Sequence, residues 1–285
     1  MVLKNKLSRS ISSSEMGLAG LQLKEVGFCV IQDYVSKRIC ERLVEEVETL
    51  FKLRASEGKK TEPPRGAQKL IENDRTIGNI ICHSKNFLQM STTGDHLKIL
   101  IPVLNDPFYG LIPSDEPNFI LAQANMREGR SALPFHVDVR MLSLGGRTWS
   151  YQGQIALSDR VARTGGLRVV PTSHLKDEYP DYNSNYEDAI DVDLKAGDLI
   201  LFSSQLHHAT HSAASEETPG WAFNMTYRCW WAKQQYDYWN MLSVADLRDL
   251  SPSQQAILGG SSQVPSHPDA SPSLRTGYLP PNYFE

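Results

Sequence analysis

The chain has 285 residues, 40% of them hydrophobic and 22% charged, a composition ordinary for a globular protein of one large domain or two small ones. A net charge of −4 and a pI near 6.1 exclude a chain-wide basic surface, so neither nucleic acid nor an anionic membrane is expected as a partner. The four cysteines (Cys29, Cys40, Cys82 and Cys229) form no CxxC pair, which argues against a disulfide framework or a thiolate zinc site and fits a reducing cytoplasm, and no apolar run is long enough to span a bilayer.

Residues 1–15 carry positive charge without the apolar core of a secretion signal and are expected to form a mobile leader. "GFCVIQDYVSKRICERLVEEVETLF" then reads as a strand from Phe28 to Ile31, a turn, and a helix capped by Ser36, with Ile39, Leu43, Val47, Leu50 and Phe51 forming its apolar stripe. Residues 54–66, charged and broken by Pro63 and Pro64, are expected as a surface loop, and residues 95–104 as a second helix. After that the texture changes to short, often alternating apolar segments separated by Gly, Pro, Asn and Asp: "NFILAQANM", "PFHVDVRML", "SYQGQIAL", "GLRVVP", "DAIDVDL", "GDLILFSS" and "GWAFNMTYRCWW". That rhythm predicts an antiparallel sandwich or barrel, so the fold class is α+β, mainly β, a jelly-roll with N-terminal helices packed on it. One domain over 16–249 is expected, followed by an irregular Ser/Pro/Gly-rich wrap over 250–285.

The segment "LPFHVDVRM" sets His136 and Asp138 two positions apart among apolar residues, where polar side chains are costly to bury. On a strand, residues i and i+2 share a face about 7 Å apart, so the two side chains would converge on one point inside a barrel. Two imidazoles and one carboxylate on one side of an iron leave three coordination positions open. The second histidine is sought in "GDLILFSSQLHHATHS", an apolar strand that runs into His207, His208 and His211.

In this order, "GFCVIQDYVSKRICERL", "PFHVDVR", "TGGLRVVPTSH" and "GDLILFSSQLHHATHS" resemble the phytanoyl-CoA dioxygenase family, iron(II)- and 2-oxoglutarate-dependent oxygenases, from about Gly27 to Arg228. The resemblance implies a cupin-like double-stranded β-helix. It also selects His208, ten residues after Asp198 and followed by Ala209 and Thr210, as the distal ligand beside His136 and Asp138. His207 is then expected on the opposite face, His211 near the mouth, and His174 in a structural turn. Fe(II), 2-oxoglutarate as cosubstrate and O₂ are implied, with release of succinate and CO₂. Thr210 and Gln154 match positions that line the cosubstrate in the family.

One feature of the family is missing. The distal carboxylate of 2-oxoglutarate needs a buried cation, best an arginine. Where the resemblance places it, the chain reads "TPGWA" (218–222). Arg228, on the same face as residues 220–226 counted in twos, is the first candidate and Arg127 the alternative. The expected reaction is hydroxylation of a small-molecule substrate by a monomer or homodimer. A catalytically silent ligand-binding jelly-roll and a zinc hydrolase using the same ligands are the competing readings. Arg140 is a candidate for a substrate carboxylate, and the loops expected to select substrate are 54–90, 141–150 and 177–190.

Overall fold

A computed structural model describes residues 7–59, 74–139, 148–176, 178–214, 216–263, 269 and 277–279. The chain runs α1 (Ser13–Glu25), β1 (Phe28–Ile31), α2 (Lys37–Ser56), β2 (Arg75–Gly78), α3 (Lys85–Thr92), α4 (Asp95–Leu104), then β3 (Phe119–Glu128), β4 (Leu133–His136), β5 (Ser150–Ala156), β6 (Leu167–Val169) and β7 (Ile190–Val192). It continues with β8 (Leu199–Ser203), β9 (His208–Thr210), β10 (Trp221–Cys229) and three short helices, α5 (Tyr238–Met241), α6 (Val244–Arg248) and α7 (Pro252–Ile257). The described strands form two antiparallel sheets, of order β1-β8-β5-β10-β3-β2 and β4-β9-β6-β7.

The period-2 alternation of a strand decides what each face does. On β10, Trp221, Phe223, Met225 and Tyr227 join a core with helix residues such as Leu43, Val47, Phe87 and Leu100. Phe87 meets Phe223 edge-on at 4.8 Å between ring centroids. Ala222, Asn224, Thr226 and Arg228 therefore point away from the helices, toward the four-stranded sheet. The two sheets pack through a second core of Ala156, Leu167, Val169, Val192, Ile200 and Phe202. Gln123, Asn125, Arg127, Gln154, Asn224 and Arg228 are all half-buried while their strand neighbours are fully buried. The inter-sheet space is thus apolar on one side and opens on the other as a polar cleft.

Several local features explain the connections. Gly27 holds φ +96°, and a Cβ there would lie 2.5 Å from His174 Nδ1, so only glycine can enter β1 in this way. His174 Nε2 bonds the Lys24 carbonyl at 3.0 Å, which fixes the turn after β6 against α1, as expected of a structural histidine. Ser36 caps α2 by position but makes no side-chain cap hydrogen bond.

Two segments differ from expectation. The leader is fixed from Leu7 onward: Leu7 and Ile11 are buried, the Ile11 N–H donates to Asp95 Oδ2 at 2.8 Å, and Ser12 and Glu15 form a capping box that starts α1. The expected C-terminal wrap begins with α7, whose Ile257 is buried and whose capping box is Ser251 with Gln254. Arg140 and parts of the loops expected to select substrate (60–73, 141–147 and residue 177) lie outside the described residues.

Candidate metal centre

His136, Asp138 and His208 come together, each offering a ligand atom, with those atoms all within 4.8 Å of one another. The route is not quite that of a shared strand face. β4 ends at His136, and the chain turns so that the Asp138 N–H donates to the Ser204 carbonyl at 2.9 Å. His208 does not sit at the end of β8 but opens the separate strand β9, directly opposite His136 in the ladder. The chain between, Ser204 to His207, carries it from one sheet to the other.

Both imidazoles are oriented by backbone. His136 Nδ1 pairs with the Pro134 carbonyl at 2.8 Å and His208 Nδ1 with the Leu206 carbonyl at 2.9 Å. A carbonyl can only accept, so each Nδ1 carries the proton and each Nε2 keeps its lone pair. Those Nε2 atoms face Asp138, at 3.8 Å from Oδ1 and 3.6 Å from Oδ2. Burial pushes His208 down to about 4, with the neighbouring His136 adding to the effect, so the ring stays neutral at physiological pH. Ligands at right angles on one ion with bonds near 2.1 Å stand roughly 3 Å apart, so the exposed Asp138 carboxylate needs a small inward turn to close on a metal. The donor set therefore fits a divalent metal bound through two nitrogens and an oxygen.

Of the other histidines, His207 turns away as expected: its Nε2 meets the Glu178 carbonyl at 3.1 Å and its ring lies 5.8 Å from that of Tyr186. His211 is not part of the site; its Nε2 bonds Asp191 at 2.8 Å. Thr210 lies beyond His208 on the same face of β9, its hydroxyl accepting from the Leu133 N–H. Gln154 Nε2 donates to Asn224 Oδ1 at 2.7 Å, and Gln154 Oε1 is buried without a partner among the described residues. Thr226 links Gln123 and Gln152 in the next layer toward the metal side.

The two candidate arginines stand at opposite ends of the cleft. Arg228 pairs in register with Ser150, whose carbonyl accepts from Ser204, the residue that holds Asp138. It is on the metal side, feels the Asp138 charge, donates to the Lys233 carbonyl and lies over the Trp149 ring. Arg127 is at the far end, opposite Ala222, and is held by the fully buried carboxylate of Asp74 at 2.8 Å from Nε and 2.6 Å from Nη2. Sequence reasoning missed both Asp74 and a third arginine of that end, Arg160, which is 4% exposed. Asp74 left no signal in sequence, whereas Arg160 continues the inward parity of Gln152, Gln154 and Ala156. A separate cavity of about 910 Å³, lined by Leu23, Pro102, Tyr109 and Thr148 among others, includes none of the three metal-ligating residues.

Among solved structures, the chain is similar to HygX from Streptomyces hygroscopicus with nickel and 2-oxoglutarate bound (16% identity, TM-score 0.57, 79% of this chain and 90% of that one). It is also similar to the non-heme alpha-ketoglutarate-dependent epimerase SnoN from nogalamycin biosynthesis (13% identity, TM-score 0.58, 95% and 98%). At these identities the likeness is one of fold. The uncharacterized protein Rv1501 of Mycobacterium tuberculosis is 33% identical over 138 residues, 47% of this chain, and the match spans about half (49%) of that relative's own length. The phytanoyl-CoA dioxygenase (PhyH) family matches residues 23–218, which takes in α2, both sheets up to β9, and all three metal-ligating side chains. The chain belongs to the phytanoyl-CoA dioxygenase family.

Proposed function

We propose that the protein is a non-haem Fe(II)/2-oxoglutarate-dependent dioxygenase that hydroxylates a small-molecule substrate, and that its two facing sheets form a double-stranded β-helix. The observation that carries this reading is the His136–Asp138–His208 cluster, with both Nε2 lone pairs turned toward one carboxylate at the metal side of a polar cleft. Iron held there supplies, with 2-oxoglutarate and O₂, a decarboxylation to succinate and CO₂ coupled to oxidation of the substrate. His136, Asp138 and His208 hold the metal on one side, leaving the side toward the cleft for cosubstrate and gas. Thr210, Gln154 and Asn224 supply hydroxyl and amide groups to a cosubstrate lying along the cleft. The apolar core behind them, with Phe202 5.1 Å from the His208 ring, keeps water from the back of the metal.

The inner face also bears on the competing readings. A zinc hydrolase needs a general base beside the metal-bound water. The described residues of the inner face offer amides, hydroxyls and guanidiniums, and Asp138 is their one carboxylate near the metal. A silent ligand-binding barrel is separated by turnover. The iron-loaded protein is expected to release succinate from 2-oxoglutarate in air even without its substrate, and His136→Ala or Asp138→Ala to abolish that release. Iron binding with no succinate from the unmodified protein would sink the enzyme reading. Because SnoN is an epimerase, product analysis with a substrate in hand separates hydroxylation from epimerisation. We place the protein in the cytoplasm, a reading supported by four cysteines that form no disulfide with one another.

A further inference from the structure

We infer that Arg160, reaching into the cleft from the turn after β5, is the cation that receives the distal carboxylate of the 2-oxo acid, in place of an arginine on β10. The inference rests on the reading of the metal centre as a 2-oxoglutarate site.

Position comes first. Arg160 Nη1 donates to the Gly220 carbonyl at 3.1 Å and Nη2 to the Gly165 carbonyl at 2.7 Å. Gly220 immediately precedes β10, in the very segment where the family's arginine is missing. Gly165 adjoins Gly166, whose carbonyl accepts from His211, the residue after Thr210. The guanidinium therefore sits at the Thr210 end of the cleft. On β9, Thr210 is about 7 Å along the strand from His208, the scale of a five-carbon dicarboxylate whose other end reaches the metal.

Charge is the second argument. Arg160 is 4% exposed, and among the described residues the only hydrogen-bond partners of its guanidinium are two neutral carbonyls. Its Nε is buried without a partner among the described residues. The charges that act on it are Arg127 and Asp74, and the single carboxylate of Asp74 already holds Arg127. Among the described residues, two guanidiniums thus share one carboxylate at this end, leaving one positive charge in excess in a buried place. Buried charges are ordinarily paired, and carbonyl dipoles offset only part of the desolvation cost. A carboxylate arriving along the cleft completes the pairing. Two of the five guanidinium N–H groups are used, so the N–H on Nε and one on each Nη remain to grip it.

Geometry closes off an arginine from β10. A Cβ on Gly220 would lie 2.6 Å from the Ser158 Cβ, so no side chain can project there. Arg228 is six residues further along β10 than Ala222, about 20 Å away on the metal side.

The test compares 2-oxoglutarate with 2-oxopentanoate, which keeps the metal-binding end and replaces the distal carboxylate by a methyl group. Dissociation constants are measured anaerobically by calorimetry on the Fe(II)-loaded full chain. The unmodified protein should prefer 2-oxoglutarate by about 30-fold or more, the scale of one buried charge-assisted pair. Arg160→Gln should bring the two constants within about 3-fold of each other, and Arg160→Lys should restore part of the preference. An undiminished preference in Arg160→Gln, or its loss in Arg228→Met instead, overturns the assignment while leaving the 2-oxoglutarate site intact. No 2-oxoglutarate binding by the unmodified protein overturns both. If Arg160→Gln does not fold, an anaerobic crystal structure of the unmodified protein with 2-oxoglutarate decides: the distal carboxylate on Arg160 supports the assignment, and on Arg228 or on Arg127 alone refutes it.

Discussion

Asp74→Asn probes the charge balance of the cleft's far end, and it should act in two opposite directions. The Asp74 carboxylate is fully buried, accepts from Arg127 Nε and from the backbone N–H groups of Arg130 and Ser131, the last two at 2.8 and 3.0 Å, and stands 2.6 Å from Arg127 Nη2 as an ion pair. Removing one partner of a buried ion pair costs about 3–5 kcal/mol, because the other charge is left uncompensated. Arg127 keeps 21% of its side chain exposed, so water relieves part of that cost and about 2–4 kcal/mol is expected. The same change removes the one carboxylate that, among the described residues, acts on both Arg127 and Arg160. 2-Oxoglutarate, which supplies one, should stabilise Asp74→Asn more than it stabilises the unmodified protein. Urea unfolding of the iron-loaded protein, with and without cosubstrate, reads both effects. Ligand at a hundred times Kd gives about 2.7 kcal/mol, so a tighter Kd shows as a larger shift. A variant as stable as the parent to within about 1 kcal/mol, or an equal cosubstrate shift in the two proteins, would refute the charge count.

Other expectations follow from single contacts. His207→Asn should retain stoichiometric Fe(II) in equilibrium dialysis while His208→Asn loses it; equal loss in both would contradict the choice among the three neighbouring histidines. Gly220→Ala forces a Cβ to 2.6 Å from that of Ser158 and should cost about 1–3 kcal/mol; an unchanged melting temperature would show that the β10 entrance is not crowded. His96 is fully buried between the hydroxyls of Tyr34 and Tyr227, at 2.8 and 2.9 Å, and burial pushes it down to about 4. Its unfolded value is about 6.5, so the unfolded chain binds the proton first, and stability that is whole above about pH 6.5 is lost as pH falls to 4, by roughly 3 kcal/mol. His96→Phe should flatten that part of the pH dependence of urea unfolding, and identical pH slopes in variant and parent would count against it.

The extent to which the sequence foretold the structure varies with how local the cause is. β1 could be read to the residue because Gly27 and the turn after Ile31 bound a short apolar run. The helix at 95–104 and the apolar strands were likewise visible from periodicity. α1 was missed because its buried residues, Ala19, Gly20 and Leu23, make a weak stripe in a polar segment. β2 was missed because its pairing partner, β3, lies some 50 residues away. At the site, His136 and Asp138 were found by spacing, yet their convergence depends on a hydrogen bond from Asp138 to Ser204, a contact between distant parts of the chain. The inward parity of Arg228 was correct, but parity alone does not say which end of a strand lies beside the metal. Arg160 escaped notice because its meaning lies in what surrounds it: two carbonyls, an occupied Asp74, and a glycine that leaves no room for the expected side chain.

The most direct test of the account is an anaerobic optical titration of the full-length protein with Fe(II) and then 2-oxoglutarate. Iron held by His136, Asp138 and His208 with room for a chelating 2-oxo acid predicts a visible charge-transfer band that appears only when both are present, saturates at one equivalent of iron, and is absent in His208→Ala and Asp138→Ala. A protein that binds one iron and shows no band at saturating 2-oxoglutarate, or that keeps the band without those two side chains, would contradict it.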